Sequence, residues 1–363
     1  MLKSKSKSSK QKLGQFYTTN YEYILQNFSI SPEVHHIIEP FAGKGDLLSF
    51  ISETDKSKYT IECYDIDPNQ DYIIKRDTLN DPPDFTNKFV FTNPPYLARN
   101  KSDSKELYDK YDCNDTYKCF IQILVDSDPV GGIIIIPLNF LCSIRAGDVS
   151  LRKKFIEKYH LEKVNIFEEQ VFKDTSYSVC SIQFKKRGSN VDVDNNTNNL
   201  DTTDCLVYPS RTPVNLALNE ENNYTIGGEI YHLPLGNQYK IQRATRETEN
   251  AGCITHIVAK CIDDSIDSQI GLFIANSDDE RNKYIDNTPK LSARSYAVLV
   301  IDPPLPMETQ HALVNRFNDY LAEKRSNYHS LFLTNYRESN TIARKRISFG
   351  LVFDICNYLL HTI

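Results

Sequence analysis

Eight consecutive residues, Phe89-Val90-Phe91-Thr92-Asn93-Pro94-Pro95-Tyr96, constrain this chain more than any other stretch. The first four are apolar, aromatic or β-branched, which suits a strand in a sheet core. Pro94 and Pro95 lack the N–H that a ladder needs, so the strand must stop there. Asn93 is thereby fixed at the carboxyl end of a strand, beside the ring of Tyr96. In open α/β sheets, ligands bind outside that edge. A fixed amide next to an aromatic ring suits the edge and face of a planar amine.

The preceding segments supply the rest of such a sheet. Val34-His35-His36-Ile37-Ile38-Glu39 is an expected first strand, followed by the turn Pro40-Phe41-Ala42-Gly43-Lys44-Gly45-Asp46 and a helix over 47–51. Strand, glycine turn and helix open a nucleotide-binding unit, although the third glycine of the dinucleotide fingerprint is absent. A second strand over 59–64 ends at Asp65, which follows Gly45 by 20 residues. An acid at that offset grips ribose hydroxyls in such folds. Ile66 would lie flat against an adenine. A third strand over 72–75 leads to Asp77, which could accept a hydrogen bond from the adenine amino group. Any one of these acids could be a solvated strand end. Three sheet-edge features in order, followed by Asn93, outline a nucleoside site.

The run Gly131-Gly132-Ile133-Ile134-Ile135-Ile136 is expected to be a central parallel strand and is too short to span a membrane. The polar stretch 97–112, directly after the Asn93 to Tyr96 turn, is expected to be a mobile loop that closes over a ligand; a solvated connection is the alternative. The length of 363 residues favours two domains, and a composition of 40% hydrophobic residues allows a sizeable core. The formal charge of −6 means that any nucleic-acid contact needs a local basic surface. The nine cysteines are scattered without a C-x-x-C pair, which favours reduced thiols and supports neither a metal site nor a disulfide framework. With no secretory signal visible, a soluble intracellular protein is expected.

Residues 1–12 form an expected basic, flexible tail. Residues 188–204, rich in Asn, Asp, Ser and Thr, are an expected linker, with a second domain over 205–363. Short strands are expected at 226–231 and 253–260, an amphipathic helix at 311–321 and a closing helix at 347–360. Lys324, Arg325, Arg337, Arg344, Lys345 and Arg346 form a basic cluster interleaved with Tyr328, His329 and Tyr336. It is a candidate DNA face; a solvated helix and loop with surface ion pairs is the alternative. Arg243 and Arg246 could add a second patch. Asp302-Pro303-Pro304-Leu305 imitates the Asn93 to Tyr96 turn but has no ring after it and no glycine turn before it, so it is expected to be a plain strand terminus.

The motif order resembles the S-adenosylmethionine-dependent DNA adenine-N6 methyltransferases of restriction–modification systems, in their gamma arrangement, over roughly residues 13–187. Gly14-Gln15-Phe16-Tyr17-Thr18 is similar to their N-terminal motif, with Thr19 where proline is usual. Glu39 to Gly45 resembles their first cofactor motif, and Asn93-Pro94-Pro95-Tyr96 their catalytic motif. Asp115-Thr116-Tyr117-Lys118-Cys119-Phe120 resembles a helix that lines the cofactor pocket. Gly132 to Phe140 resembles the strand after it, and Val171-Phe172 running into Tyr177 to Ile182 resembles a hairpin whose aromatic packs on the target base.

This resemblance implies a Rossmann-like methyltransferase sheet with helices on both faces, followed by a mixed α+β target-recognition domain. It implies S-adenosyl-L-methionine as cofactor, double-stranded DNA as partner, no metal and a type II enzyme, with a cognate restriction endonuclease acting on the same site in a prokaryote or virus-infected cell. Gln15, Phe16, Tyr17, Thr18, Glu39, Pro40, Gly43, Gly45, Asp65, Ile66, Asp77, Asn93 and Asp115 would face the cofactor. Asn93 and the Pro94 carbonyl would hold N6, with Pro95 shaping the turn. Tyr96 and Phe172 would stack on the extruded base, and Tyr177, Arg99 and Lys101 would contact DNA. N4-cytosine transfer, RNA or protein-glutamine transfer and a silent DNA-binding module stay open. Asn93, where N4-cytosine enzymes more often carry serine, argues against the first. The Gly14 to Thr18 motif and the long second half argue against the second. Intact Asn93, Asp65 and Asp77 argue against the third.

Overall fold

The computed structural model describes residues 18–172, 177–188, 203–245, 247–248, 251–263, 269–285, 295–335 and 345–361. Two units divide the chain, Met1–Leu218 and Asn219–Ile363.

The first unit is built on a nine-stranded sheet in the order β3-β2-β1-β4-β5-β7-β6-β8-β9. Its strands are β1 (His36–Glu39), β2 (Thr60–Asp65), β3 (Ile74–Lys75), β4 (Phe89–Thr92), β5 (Gly131–Pro137), β6 (Tyr159–Phe167), β7 (Val179–Lys186), β8 (Asp204–Tyr208) and β9 (Thr212–Pro213). The half from β3 to β5 is parallel, with Ile37 opposite both Ile61 and Phe89 and Val90 opposite Gly132. The strand order reverses between β1 and β4, which creates the crevice where α/β sheets take ligands. β7 enters antiparallel between β5 and β6.

Ile133 to Ile136 of β5 are fully buried, as a central strand requires. Each such side chain contributes roughly 1.5–3 kcal/mol of transfer free energy. Gly132 is required by close approach: a Cβ there would lie 2.4 Å from the Val90 carbonyl oxygen. Helices α1 (Glu106–Tyr111), α2 (Thr116–Asp126) and α3 (Ala146–Lys158) follow the sheet's central crossings. Between α2 and α3 the buried Lys118 amine meets Asp148 at 2.6 Å, and Ser143 donates to the same carboxylate. A buried charge pair of this kind is tolerable because hydrogen bonds satisfy both partners.

Three expectations for this unit change. The turn after β1 leads into a short 3-10 helix, Asp46–Phe50, rather than an α-helix over 47–51. Val171 and Phe172 lie not on a hairpin strand but in the connection between the antiparallel β6 and β7, since β7 begins only at Val179. The boundary expected at 205 lies at Leu218, because β8 pairs in parallel with β6 from Lys163↔Asp204 to Phe167↔Tyr208. The expected linker, of which 189–202 lie outside the described residues, therefore leaves and re-enters one sheet.

The second unit is α+β. Its antiparallel sheet runs β10-β13-β11-β12, with β10 (Lys240–Arg243), β11 (Ile254–Lys260), β12 (Gly271–Ile274) and β13 (Tyr296–Asp302). Helices α5 (Met307–Tyr328) and α6 (Phe349–His361) bury Leu313, Phe317, Leu321, Ile355 and Leu359 against one face. Helix α4 (Asp278–Ile285) lies with the smaller cluster around Val258 and Val298. The strand expected at 226–231 is instead a helical turn, Gly228–Tyr231, entered through Gly227 at φ +59°. A two-residue strand pair, Thr334–Asn335 with Lys345–Arg346, flanks residues outside the description.

Candidate functional site

A cavity of about 410 Å³ opens at the strand-order reversal. That lies within the range that holds a nucleoside-sized ligand. Thr18, Glu39, Gly43, Asp65, Ile66, Asp77, Asn93 and Pro95 line it, so residues separated by up to 77 positions meet in one space.

Asp65 ends β2, and its carboxylate is pinned on both oxygens: Oδ2 accepts the Gly43 N–H at 2.8 Å and Oδ1 the Asp67 N–H at 2.8 Å. Burial raises its pKa, and those two amides pull it back. The second lone pair of each oxygen is left for a ligand hydroxyl. Ile66 next to it is an apolar side chain left 39% exposed. Asp77 holds Asn80 through both carboxylate oxygens. Glu39 is buried with Oε2 lacking any hydrogen-bond partner. Burial, then the charges of Asp65 and Asp46, push its carboxyl well above the usual range. An unsatisfied buried acceptor beside a cavity is unfavourable unless a ligand donor meets it.

Asn93 is held from two sides. Its Nδ2 donates to Thr18 Oγ1 at 3.0 Å, and Tyr96 Oη lies 2.5 Å from its Oδ1. The Tyr96 hydroxyl is also 2.7 Å from the Ile135 carbonyl. Its single proton therefore has two acceptors within reach. The Tyr96 ring is only 3% exposed and packs edge-on between Tyr117 and Tyr177, with centroids 6.1 Å away on each side. It presents no open face here, because Tyr117 and Tyr177 fill the space beside it, so stacking by this ring requires it to open. Phe172 is likewise buried, at 5% exposure. Tyr177 is half-buried.

The remaining sequence candidates fall into three groups. Pro40, Gly45, Pro94 and Asp115 do not line the cavity. The Pro40 carbonyl is taken by the Thr78 hydroxyl at 2.8 Å. Gly45, at φ +80°, packs against Tyr72, whose hydroxyl lies 2.1 Å from where a Cβ would be. Gln15, Phe16, Tyr17, Arg337, Arg344 and Arg246 lie outside the described residues. The rest of the expected DNA face is largely committed internally. Lys324 pairs with Glu229 at 2.9 Å and lies over the rings of Tyr320 and Tyr328. Arg325 donates to the Ile270 carbonyl and lies 3.6 Å from Asp263, and Lys345 is buried. Arg346 is half-buried, Arg99 pairs with Asp109 at 2.6 Å and Lys101 is exposed. Arg243 lies over the Phe349 ring. Asp302 ends β13 within the antiparallel sheet, as a plain strand terminus would.

The family model described as Eco57I restriction-modification methylase matches residues 44–172. Over this segment the chain is similar to restriction-modification methylases. No curated protein matches the chain. Solved structures that it is similar to include a type I restriction-modification methyltransferase subunit from Streptococcus thermophilus. That match has 17% identity and a TM-score of 0.37, covering 54% of this chain and 48% of that one. The EcoKI M protein of a type I restriction enzyme matches at 14% identity and TM-score 0.36, covering 87% and 72%. DrdV in a DNA complex matches at 12% identity and TM-score 0.43, covering 69% and 35%. The chain thus spans less than half the length of the Streptococcus thermophilus subunit.

Sequence reasoning missed two parts of the cavity. Phe41, inside the glycine turn, lines it and packs edge-to-face on Phe120 at 5.0 Å. The loop carrying Thr78, Leu79 and Asn80 lines it as well. Nothing in their residue types marks them; only the sheet order brings them round. Among the described residues, no group of His, Cys, Asp and Glu could hold a metal ion, and no helix is long and apolar enough to cross a membrane.

Asp115 precedes α2, buried, with Oδ1 unpartnered. Burial lifts its carboxyl to about 6, while Lys118 and nearby backbone N–H groups pull it down. A folded-state value above the unfolded one makes this group's stability contribution complete below about pH 4 and lost as pH rises through 6. Asp115→Asn should therefore gain on the parent by up to about 3 kcal/mol between pH 4 and pH 7. Denaturant midpoints across that range measure it; a constant difference between the two proteins rules the effect out.

Proposed function

We propose that this chain transfers a methyl group from S-adenosylmethionine to N6 of an adenine flipped out of duplex DNA. The observation that carries this reading is that Asn93, oriented by Thr18 and Tyr96, lines the same cavity as Asp65 and Ile66. The cavity's features fit the cofactor: the Asp65 carboxylate for ribose hydroxyls, the Ile66 face for an adenine and the orphaned Glu39 oxygen for an ammonium group. When bound, the cofactor supplies an electrophilic sulfonium methyl.

The adenine amino group is a poor nucleophile because its lone pair is delocalised into the ring. Asn93 Oδ1 and the Pro94 carbonyl are acceptors for its two hydrogens. They favour a pyramidal nitrogen and the positive charge that develops on it, an inversion of oxyanion-hole logic. The Tyr96 hydroxyl must then turn away from Asn93 Oδ1, and the Ile135 carbonyl at 2.7 Å accepts its hydrogen bond instead at little cost. Positioning supplies much of the rate. Extruding the base costs about a few kcal/mol. Tyr96, Phe172 and Tyr177 are our candidates for repaying it by stacking, which requires Tyr96 and Phe172 to open from their buried positions.

The second unit is our candidate for target recognition, and a restriction endonuclease acting on the same site is the partner this reading implies. Labelled S-adenosylmethionine incubated with duplex DNA, followed by digestion to nucleosides, tests it. Label in N6-methyladenosine is expected. Label in N4-methylcytosine overturns the acceptor, label in protein overturns the substrate, and no transfer at all favours a silent binding module.

A further inference from the structure

The segment 97–112 is tied down across the mouth of the cavity. Tyr111 Oη donates to the Leu79 carbonyl at 2.9 Å and the Lys110 amine to the Asn80 carbonyl at 3.1 Å, so the segment is latched to the loop beside Asp77. Tyr108 Oη returns to the Leu97 carbonyl at 2.9 Å, and the Lys105 amine holds the Arg99 and Ser102 carbonyls. These bonds make the segment a built wall rather than a solvated connection. Residues 102–104 and 106–108 line the cavity.

That wall brings two exposed carboxylates, Asp103 and Glu106, to a space already bordered by Glu39, Asp46, Asp65 and Asp77. The one basic side chain among the described lining residues, Arg76, is engaged by Asp81 at 3.1 Å. Lys105 points its amine at backbone carbonyls instead. Glu39 adds an independent sign of a ligand: its buried Oε2 has no hydrogen-bond partner among the described residues, and a cation beside it would favour its ionised form. The cavity is therefore an anionic chamber, and an anionic chamber distinguishes ligands by charge.

We propose that Asp103 and Glu106 are cofactor-selecting residues, which bias the cavity toward a positively charged sulfonium donor over its neutral thioether product. This rests on the methyl-transfer reading above. The donor carries an ammonium, a sulfonium and a carboxylate, so it has one net positive charge. Loss of the methyl group leaves a thioether with no net charge. Each wall carboxylate then attracts the first and is indifferent to the second. The chamber thus holds spent cofactor less tightly than fresh donor without any change of shape.

Equilibrium titration of S-adenosylmethionine and S-adenosylhomocysteine into the intact protein, without DNA, tests the proposal. At low ionic strength the parent should prefer the sulfonium by about tenfold or more, as two carboxylates at intermediate dielectric would give. High salt should narrow that gap, because charges at an open cavity mouth are screened. The Asp103→Asn/Glu106→Gln variant should weaken sulfonium binding by about tenfold and change thioether binding less than about twofold. Both positions are exposed and both changes isosteric, so thermal melting should match the parent. Equal parental affinities, or equal loss of both ligands in the variant, overturns the charge selection and leaves the function reading intact. Binding of neither ligand overturns both.

Discussion

Replacing Asn93 by alanine should cut the single-turnover rate of methyl transfer by about 10²- to 10³-fold, the range for removing one pre-aligned charge-stabilising group. Alanine keeps the strand end and the two prolines, so the turn survives. What goes is the acceptor proposed for the amino group, together with the link between Thr18 and Tyr96. Cofactor affinity should stay within about threefold, since only one hydrogen bond's net worth is at stake there. Rapid-quench measurement at saturating cofactor, paired with calorimetric titration, separates the two quantities. An unchanged rate removes Asn93 from the chemistry. A rate loss matched by an equal loss of affinity makes it a cofactor ligand only.

Asp65→Ala should have the next largest effect. The carboxylate serves two masters: it caps the Gly43 and Asp67 amides and it faces the cavity. Removal leaves two donors without their acceptor, at about 1–3 kcal/mol for each one that stays buried. It also removes the charged acceptor proposed for ribose hydroxyls, worth about 1.5–3 kcal/mol, or roughly 10- to 100-fold in affinity. Cofactor titration should show that loss, and denaturant melting a lower midpoint. Asp65→Asn, which can still accept on one oxygen, should recover part of the stability and less of the affinity. A melting change without an affinity change would assign Asp65 to the loop alone.

How far the sequence discloses this site depends on the range of the interaction. β1, β2, β4 and β5 were legible because burial and proline placement are local properties written in Val34 to Glu39, Phe89 to Pro95 and Ile133 to Ile136. Asp65, Ile66, Asp77 and Asn93 followed from strand ends in a known topology. The insertion of β7 between β5 and β6, and the pairing of β8 with β6, depend on partners far along the chain, so the polar stretch before Asp204 looked like a domain boundary. Lys324 and Arg325 looked like a DNA face because charge counts ignore Glu229 and Asp263, which residue spacing cannot bring into view. Burial of Tyr96 was hidden for the same reason: Tyr117 is 21 residues and Ile135 39 residues away. Val171 and Phe172 carried a motif without its pairing, since the strand starts only at Val179.

The latch formed by Lys110 and Tyr111 joins the cavity wall to the Asn80 loop, so whatever steadies one steadies the other. Binding free energies around such a joint are reciprocal. A macromolecule that grips the outer side of this wall, through Lys101 for instance, and a small molecule that grips its inner side must alter one another's affinity by the same factor. The order in which the two arrive then becomes a matter of kinetics alone, because the closed cycle of their binding steps has a single thermodynamic sum.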